Sequence, residues 1–192
     1  PYVRGRETSR SPDSILNEIR GLCATGVREV TLLGQNVNSY RGGVDFAELL
    51  GMVAGVEGLW RVRFTTSHPK DCSPRLLDAM RDLPEVCEHL HLPVQAGDDE
   101  VLARMGRGYT AAQYLALVEA ARERMPGLAL TTDVIVGFPG ETEAQFERTL
   151  ELFSKVRYDQ ACMFQYSDRE GTAAAQEVEK VAEARSSGGW RR

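Results

Sequence analysis

The sequence predicts an α/β protein, a partial (β/α) barrel of about five parallel strands that alternate with helices. Three observations predict it: apolar β-branched segments alternate with amphipathic ones, the strand segments have one polar face, and polar or glycine-rich residues follow four successive strands. Alternation of this kind builds parallel sheets with right-handed crossovers. In an open sheet covered on both sides, strands read as unbroken apolar runs, which these do not. Five strands are fewer than the roughly eight of a closed barrel.

Helix starts and stops carry recognisable signals. The first predicted helix has Ser11 as its N-cap, Pro12 at the first helical position and Gly26 at its end. Ser73 and Pro74 repeat this signature. The predicted helices cover 11–26, 44–56, 73–83, 98–105, 111–125 and 142–156, and the predicted strands cover 27–36, 61–69, 88–97, 128–141 and 158–167.

Several strand segments have one apolar and one polar face. In HLHLPVQ the side chains of His89, His91 and Gln95 share one face, and in LTTDVIV those of Thr131 and Asp133 do. The apolar face is expected to meet helices, and the polar face to line an interior that holds a ligand.

The strand ends carry the most unusual residues, in GQNVNSYRG, TTSHP, PVQAGD and VGFPGET. Ligands of such folds bind at these carboxyl ends. Gln35, Asn36 and Asn38 place three amides in one short stretch, although a simple turn also explains them. In GFPGET, Gly137 and Gly140 allow a ligand to approach the backbone closely, and a helix-capping turn is the alternative.

Asp133 lies partway along an apolar strand, where a buried acid needs a partner. A structural ion pair with Arg63 or His91 is one interpretation. A metal site is another, with His89 and His91 as ligands and Asp133 or His68 as the third.

Composition narrows the class of protein. The formal net charge is −5, which argues against a generally basic nucleic-acid surface but leaves local patches such as Arg4, Arg6 and Arg10. No run approaches the roughly 18 apolar residues of a membrane span, and no signal-peptide pattern opens the chain. The cysteines are too far apart for common metal or redox motifs, and we expect buried thiols in a reducing compartment. They are Cys23, Cys72, Cys87 and Cys162.

Several blocks resemble the radical S-adenosylmethionine methylthiotransferases, in particular their tRNA branch. They are LLGQNVNSYRG, RVRFTTSHP, HLHLPVQAGDDEVLARMGRGYT and DVIVGFPGETEAQFERTL. The opening PYVRGRETSR resembles the segment that follows the Cys-x-x-x-Cys-x-x-Cys motif of that family. The resemblance covers residues 1–172 and implies an incomplete barrel of the radical-SAM type, with 173–192 as a poorly anchored tail.

The resemblance implies methylthiolation at carbon 2 of N6-isopentenyladenosine beside the tRNA anticodon. It implies S-adenosylmethionine and two 4Fe-4S clusters in the complete enzyme, one to form a 5′-deoxyadenosyl radical and one to deliver sulfur. The implied partners are tRNA and an electron donor such as a flavodoxin or ferredoxin, with no membrane and a monomeric state. The implied compartment is the cytoplasm, a mitochondrion or a plastid.

The resemblance also implies roles for the residues at the strand ends. Gln35 and Asn36 would hold the methionine amino group of S-adenosylmethionine. Ser67 and Gln95 would face its ribose and methionine, and Arg107 would bind the carboxylate.

Further roles follow for the fourth strand and the start of the chain. Asp133 would be the catalytic residue near the path of the radical, and Gly137, Gly140 and Glu141 would support the adenine. Arg4, Arg6 and Arg10 would meet tRNA phosphates.

The sequence departs from the family pattern in several places. The cluster cysteines, the first barrel strand, the N-terminal domain and the small C-terminal RNA-binding domain are missing, so we expect this polypeptide to be inactive alone. The alternatives are a ribosomal-protein methylthiotransferase, a non-catalytic barrel remnant that binds RNA or S-adenosylmethionine, and a barrel lyase that uses Asp133 and His91 as acid and base.

Overall fold

The structure is a computed structural model that describes residues 8–65, 67–168, 171 and 174. Parallel strands and helices alternate along these residues in partial, open sheets, which confirms the predicted α/β class. The elements, in chain order, are α1 Pro12–Ala24, β1 Glu29–Leu32, α2 Phe46–Ala54, β2 Arg61–Phe64, α3 Pro74–Asp82, β3 His89–His91, α4 Asp99–Arg104, α5 Ala111–Arg124, β4 Ala129–Val136, α6 Glu143–Val156 and β5 Gln160–Gln165.

Side-chain caps start the helices where the sequence predicts them. The hydroxyl of Ser11 accepts a hydrogen bond from the Ser14 N–H, and that of Ser73 accepts one from the Leu76 N–H. At α6, Thr142 and Gln145 form a reciprocal capping box. These local bonds explain why the helix bounds follow the sequence closely.

The predicted strands are longer than the observed ones. Strand β2 ends at Phe64, whereas the sequence predicts a strand that continues to Pro69. A short 3₁₀ helix, Pro69–Asp71, follows His68, and another, Val37–Ser39, follows β1. The polar residues after β1 and β2 therefore lie in structured loops rather than in the sheet.

The chain divides into two compact units. The first unit comprises Pro1–His91 and Arg124–Leu128, and the second unit comprises Leu92–Glu123 and Ala129–Arg192. The predicted boundaries, 1–172 for the barrel and 173–192 for the tail, stay predictions, because nearly all of the tail lies outside the described residues.

In the first unit, β1 and β2 pair in parallel with Glu29 opposite Arg61 and Leu32 opposite Phe64. Phe64 packs edge-on against Phe46 of α2, with 5.1 Å between ring centroids. The core between sheet and helices consists of fully buried side chains, among them Leu49, Leu50, Val53, Val62, Leu76, Leu77 and Met80.

In the second unit, β4 and β5 pair in parallel with Asp133 opposite Cys162 and Ile135 opposite Phe164. Residues 92–95 run beside β4, because the Leu92 N–H donates to the Thr131 oxygen at 2.8 Å. Alternate residues of β4 are buried and half-buried, which confirms the predicted two-faced strand. The core on the helix side contains Leu92, Val94, Val101, Leu102, Tyr114, Val118, Leu130, Val134, Leu152 and Val156.

The prediction of four buried cysteines is confirmed for two of them and is wrong for Cys162. Cys23 and Cys72 are buried and Cys87 is half-buried, but Cys162 is exposed. Cys162 lies on β5, which among the described residues pairs with β4 on one side only.

None of the helices in the described part of the chain has both the length and the apolar character that crossing a membrane requires.

Candidate functional site

A cavity of about 640 Å³ lies in the second unit at the carboxyl end of β4, and we call it the second-unit cavity. Its size is within the usual range of small-molecule sites. Three residues that the sequence singles out, Gln95, Arg107 and Asp133, lie together in its wall. The lining residues are Gln95, Arg104, Met105, Arg107, Asp133, Ile135, Phe138, Phe164, Gln165, Tyr166, Ser167 and Ala174.

Gln95 has a left-handed backbone conformation, with φ of 71°. Its N–H donates to the Asp133 oxygen at 2.9 Å, and its own oxygen accepts from the Ile135 N–H at 3.0 Å. These two bonds to β4 fix the strained backbone. For a residue with a Cβ, this conformation costs roughly 1–2 kcal/mol, so the surrounding structure holds the Gln95 amide at the cavity at the expense of local stability.

Two arginines that line the cavity have unused hydrogen-bond donors. The Nε atoms of Arg104 and Arg107 are buried and have no hydrogen-bond partner. A buried N–H without an acceptor is costly, commonly about 1–3 kcal/mol. Both donors are satisfied if a ligand brings acceptor atoms, such as carboxylate oxygens. Among the described residues of the lining, one carboxylate, that of Asp133, accompanies these two positive charges.

One flank of the cavity is apolar. Ile135 and Phe164 are paired across β4 and β5, so both side chains point to the face that carries Asp133. Phe138 packs edge-on against Tyr166, with 5.4 Å between ring centroids. The cavity therefore combines cationic and amide groups with surfaces suited to an apolar or planar part of a ligand.

The Gly137–Glu141 turn follows β4 beside this cavity. Gly137 and Gly140 have φ of 71° and 70°, conformations that glycine adopts readily. The Glu141 carboxylate accepts hydrogen bonds from the N–H groups of Gly137 at 2.7 Å and Phe138 at 3.2 Å. Burial nevertheless raises the pKa of Glu141, because desolvation outweighs these bonds. Glu141 is thus bound by its own turn, while the helix cap that the alternative predicts is made by Thr142, the N-cap of α6.

Tyr109 holds the chain that leads to Gln95. Its hydroxyl donates to the Val94 oxygen at 3.0 Å. Burial raises the pKa of Tyr109 to about 12, so the phenol stays neutral and remains a donor at physiological pH.

Three further predicted site residues lie in the first unit. Gln35 is exposed and Asn36 is half-buried, both in the turn after β1. Ser67, after β2, is only 3% exposed, and its hydroxyl oxygen is buried without a hydrogen-bond partner. A buried hydroxyl in this state is available to a ligand.

Asn38 joins the loops that follow β1 and β2. Its Nδ2 donates to the His68 oxygen at 2.9 Å, and its Oδ1 accepts from the His68 N–H at 2.8 Å. Beside it, Ser39 donates to Asp71 at 2.6 Å. The Asn38 amide thus makes the same pair of backbone hydrogen bonds that a neighbouring strand would make, and it fixes the backbone next to Ser67.

The first unit also contains an open cleft of about 740 Å³, lined in part by Asn38, Tyr40, Arg41 and Lys70. Gln35, Asn36 and Ser67 do not line it, so the structure does not bring the predicted residues of the first unit into this cleft.

The basic patch of the opening segment is described only in part. Arg4 and Arg6 lie outside the described residues. Arg10 forms an ion pair with Glu18 at 2.6 Å and bonds the Ser14 hydroxyl at 2.9 Å. Part of its charge is therefore already matched.

The described residues do not fit an iron–sulfur cluster. They contain no group of three or more His, Cys, Asp or Glu side chains that could hold a metal ion. Burial raises the pKa of the Cys72 thiol to about 12, whereas a cluster ligand must be a thiolate. The suggested histidine site is not found there either: His68 instead accepts a bond from the Lys70 N–H at 3.2 Å.

Sequence reasoning missed the contributions of Arg104, Phe164 and Asn38. The sequence alone predicts no role for Arg104. Phe164 could have been found from strand register. It lies two residues after Cys162, the partner of Asp133, so its side chain is on the same face of the sheet as that of Asp133. Asn38 was one of three amides in a row, and only its contact with His68 separates it from the other two.

Comparison with known proteins identifies a matching family model and similar proteins. The model of the Radical SAM superfamily matches residues 1–153. The tRNA-2-methylthio-N(6)-dimethylallyladenosine synthase of Carboxydothermus hydrogenoformans is 57% identical over 187 residues, which are 95% of this chain and 42% of that protein. The enzyme of the same name from Caldicellulosiruptor saccharolyticus is 57% identical over 185 residues, 94% of this chain and 39% of that protein. The chain thus spans about two fifths of the length of these relatives.

Solved structures agree on the fold. Coproporphyrinogen III oxidase from Escherichia coli, a radical SAM enzyme, superposes with a TM-score of 0.64 and 18% identity over 91% of this chain and 43% of that one. Methylornithine synthase superposes with a TM-score of 0.55 and 17% identity over 87% of this chain and 49% of that one.

Proposed function

The chain belongs to the radical SAM superfamily, and we propose that it is the central, S-adenosylmethionine-binding part of an enzyme that adds a methylthio group to carbon 2 of N6-isopentenyladenosine in tRNA. One observation carries this proposal: relatives 57% identical along almost all of this chain are named for that product. The same observation disfavours the ribosomal-protein methylthiotransferase, the non-catalytic remnant and the lyase.

The second-unit cavity supports the proposal chemically. S-adenosylmethionine supplies a carbon-centred radical when it is reductively cleaved. It carries a carboxylate, an amino group and a planar adenine, and the cavity offers unused arginine donors, the Gln95 amide and an apolar flank. We assign the carboxylate to Arg107, because a guanidinium pairs well with two oxygens.

We also propose roles for Asp133, which lines the second-unit cavity, and for the Gly137–Glu141 turn beside it. Asp133 is the carboxylate that faces the cavity, and we place it near the reacting carbon, where it would orient the substrate or hold a proton. Gly137 and Gly140 keep the turn free of side chains, and Glu141 closes that turn, which we propose supports the adenine.

We place the other predicted contacts in the first unit and the opening segment. Gln35 and Asn36 would bind the methionine amino group, and the unpartnered Ser67 hydroxyl would bind a ribose oxygen. Arg4, Arg6 and Arg10 would contact tRNA phosphates, which makes tRNA affinity fall with salt.

The partners follow from the same reaction. We propose two 4Fe-4S clusters held by residues outside this chain, a flavodoxin or ferredoxin as electron donor, and a monomer that acts in the cytoplasm, where tRNA is modified. No step is assigned to a cluster from the residues of this chain.

The test is the replacement of Arg107 in the complete protein, reconstituted anaerobically with iron and sulfide. Arg107→Ala should raise the dissociation constant of S-adenosylmethionine about tenfold or more, because a charged hydrogen bond contributes roughly 1.5–3 kcal/mol. Arg107→Lys should recover part of the affinity. Calorimetry without reductant measures the constant, and mass spectrometry of digested tRNA measures the methylthio product.

Arg122→Ala is the matched control, because Arg122 bonds the backbone oxygens of Val156 and Arg157 and does not line the cavity. Unchanged affinity in Arg107→Ala would contradict the assignment. A wild-type enzyme that modifies a ribosomal protein and leaves tRNA unmodified would contradict the proposed substrate.

A further inference from the structure

We propose that Arg104 is a positioning residue that holds the Gly137–Glu141 turn in its ligand-binding conformation from the end of α4. This inference rests on the proposed function in one respect only, that the ligand of the turn is S-adenosylmethionine. The statement that Arg104 holds the turn concerns contacts within the second unit and does not require a ligand.

Three contacts join Arg104 to the turn. Its Nη1 donates to the Pro139 oxygen at 2.6 Å. Its guanidinium carbon lies 5.6 Å from the centre of the Phe138 ring, within the range of a cation–π contact. A Cβ at residue 140 would lie 2.7 Å from Nη1, so the close approach depends on Gly140. One side chain thus contacts three successive residues of the turn.

The turn needs this external support because its internal bonds come from one carboxylate. Glu141 accepts the N–H groups of Gly137 and Phe138, and the Glu141 N–H donates to the Phe138 oxygen at 2.8 Å. That carboxylate is itself buried, and the positive charge of Arg104 favours its ionised, accepting form. Arg104 therefore stabilises the turn directly at Pro139 and indirectly through Glu141.

The helix that carries Arg104 is firmly anchored. Asp98 caps α4 by accepting from the N–H groups of Glu100 and Val101, and it forms an ion pair with Arg148 of α6 at 2.6 Å. Asp98 is 6% exposed, so its carboxylate is largely shielded from water, whereas the Arg148 side chain is half-exposed. An arginine on such a helix is a suitable fixed point for a glycine-containing turn.

Arg104 also has a side-chain donor that its contacts with the turn do not use. Its Nε is buried without a partner, and the residue lines the same cavity as Arg107. Arginine can bond the turn and a ligand at the same time because its donors point in different directions, whereas lysine has a single nitrogen. The Arg104→Lys variant therefore separates the effect of the positive charge from the effect of the guanidinium geometry.

The experiment compares Arg104→Met, Arg104→Lys and the control Arg122→Met in the complete, anaerobically reconstituted protein. The first readout is hydrogen exchange at the amides of Gly137 and Phe138 without ligand. We expect exchange to become about tenfold faster in Arg104→Met, to be partly restored in Arg104→Lys, and to be unchanged in Arg122→Met.

The second readout is the dissociation constant of S-adenosylmethionine without reductant, which should rise about tenfold in Arg104→Met and stay constant in Arg122→Met. Unfolding temperatures identify effects that are only losses of stability. Unchanged exchange in a folded Arg104→Met variant would overturn the proposal. Faster exchange with unchanged affinity would overturn its link to the ligand.

The two readouts keep the proposals separate. If the wild-type protein binds no S-adenosylmethionine, the proposed function fails, and the exchange measurement still decides whether Arg104 holds the turn.

Discussion

Gln95 is the residue at which local strain and the candidate site coincide. Among the described residues, the non-glycine residues with positive φ are Gln95 and Arg157. Arg157 ends α6 as a left-handed C-cap, a position that commonly adopts this conformation. Gln95 ends no helix, and it lines the second-unit cavity. Strain of this kind clusters at functional sites, which makes Gln95 a stronger candidate than its residue type alone suggests.

Replacement of Gln95 should therefore separate stability from binding. In Gln95→Gly the backbone strain is relieved while the unfolded chain gains freedom, so the free energy of unfolding should change by less than about 1 kcal/mol. The affinity for S-adenosylmethionine should nevertheless fall, because the amide is lost. Denaturant unfolding and calorimetry measure the two effects. Gln95→Ala keeps the strain, and it should be less stable than Gln95→Gly. Equal affinity of Gln95→Gly and wild type would show that the amide is not used.

At the scale of elements, α6 lies unusually close to the segment that follows Gln95. A Cβ on Gly97 would lie 2.5 Å from the Thr149 Cα and 2.7 Å from the Arg148 oxygen, both backbone atoms. The Gly97 N–H donates to the Thr149 hydroxyl at 2.9 Å. Glycine is thus required here for helix packing, although its φ is not in the left-handed region.

Gly97→Ala should lower the free energy of unfolding by about 1–3 kcal/mol, because the backbone of α6 must move away. Gly21→Ala is the control, since apart from the neighbouring backbone of its own helix no heavy atom lies within 4 Å of a Cβ at that position. That variant should be neutral or more stable by up to about 1 kcal/mol. Thermal and denaturant unfolding measure both. A Gly97→Ala protein as stable as wild type would mean that α6 can shift without cost.

The elements were predictable because their signals are local. Ser11, Ser73 and Thr142 cap helices through bonds to residues three positions away, and such bonds are visible in the sequence. The end of β2 was not predictable, because the backbone at His68 pairs with the side chain of Asn38, thirty residues earlier. Tertiary contacts of this kind override strand propensity, and one sequence gives no sign of them.

At the scale of the whole molecule, Gln95, Arg107 and Asp133 line one cavity, and the role of each stays a prediction. The place of Gln95 follows from a general rule, since the carboxyl ends of parallel strands bind ligands, whereas Arg107 follows α4 and reaches the cavity through tertiary packing. The contacts of Arg104 depend instead on the packing of α4 against a turn about 35 residues away. The buried state of Glu141 likewise depends on tertiary structure.

The four cysteines lead to a prediction about the assembled holoenzyme. A cluster ligand must be a thiolate close to two or three others. Cys23 and Cys72 are buried, Cys87 is half-buried, Cys162 is exposed on β5, and the described residues contain no cluster of potential metal ligands. We therefore expect that replacing all four with alanine leaves the iron content per chain of the reconstituted complete protein unchanged.

Iron analysis and the visible absorption spectrum of the quadruple variant measure this outcome. Stability should fall, by about 1 kcal/mol for each buried thiol, because Cys23→Ala and Cys72→Ala leave small cavities. The comparison is therefore made well below the unfolding temperature, with the Cys162→Ala variant as a control that removes an exposed thiol without a cavity. Loss of iron equivalent to one cluster would mean that the chain rearranges to bring distant thiols together. Single replacements would then identify the ligands, and the assignment of the cluster to residues outside this chain would be wrong.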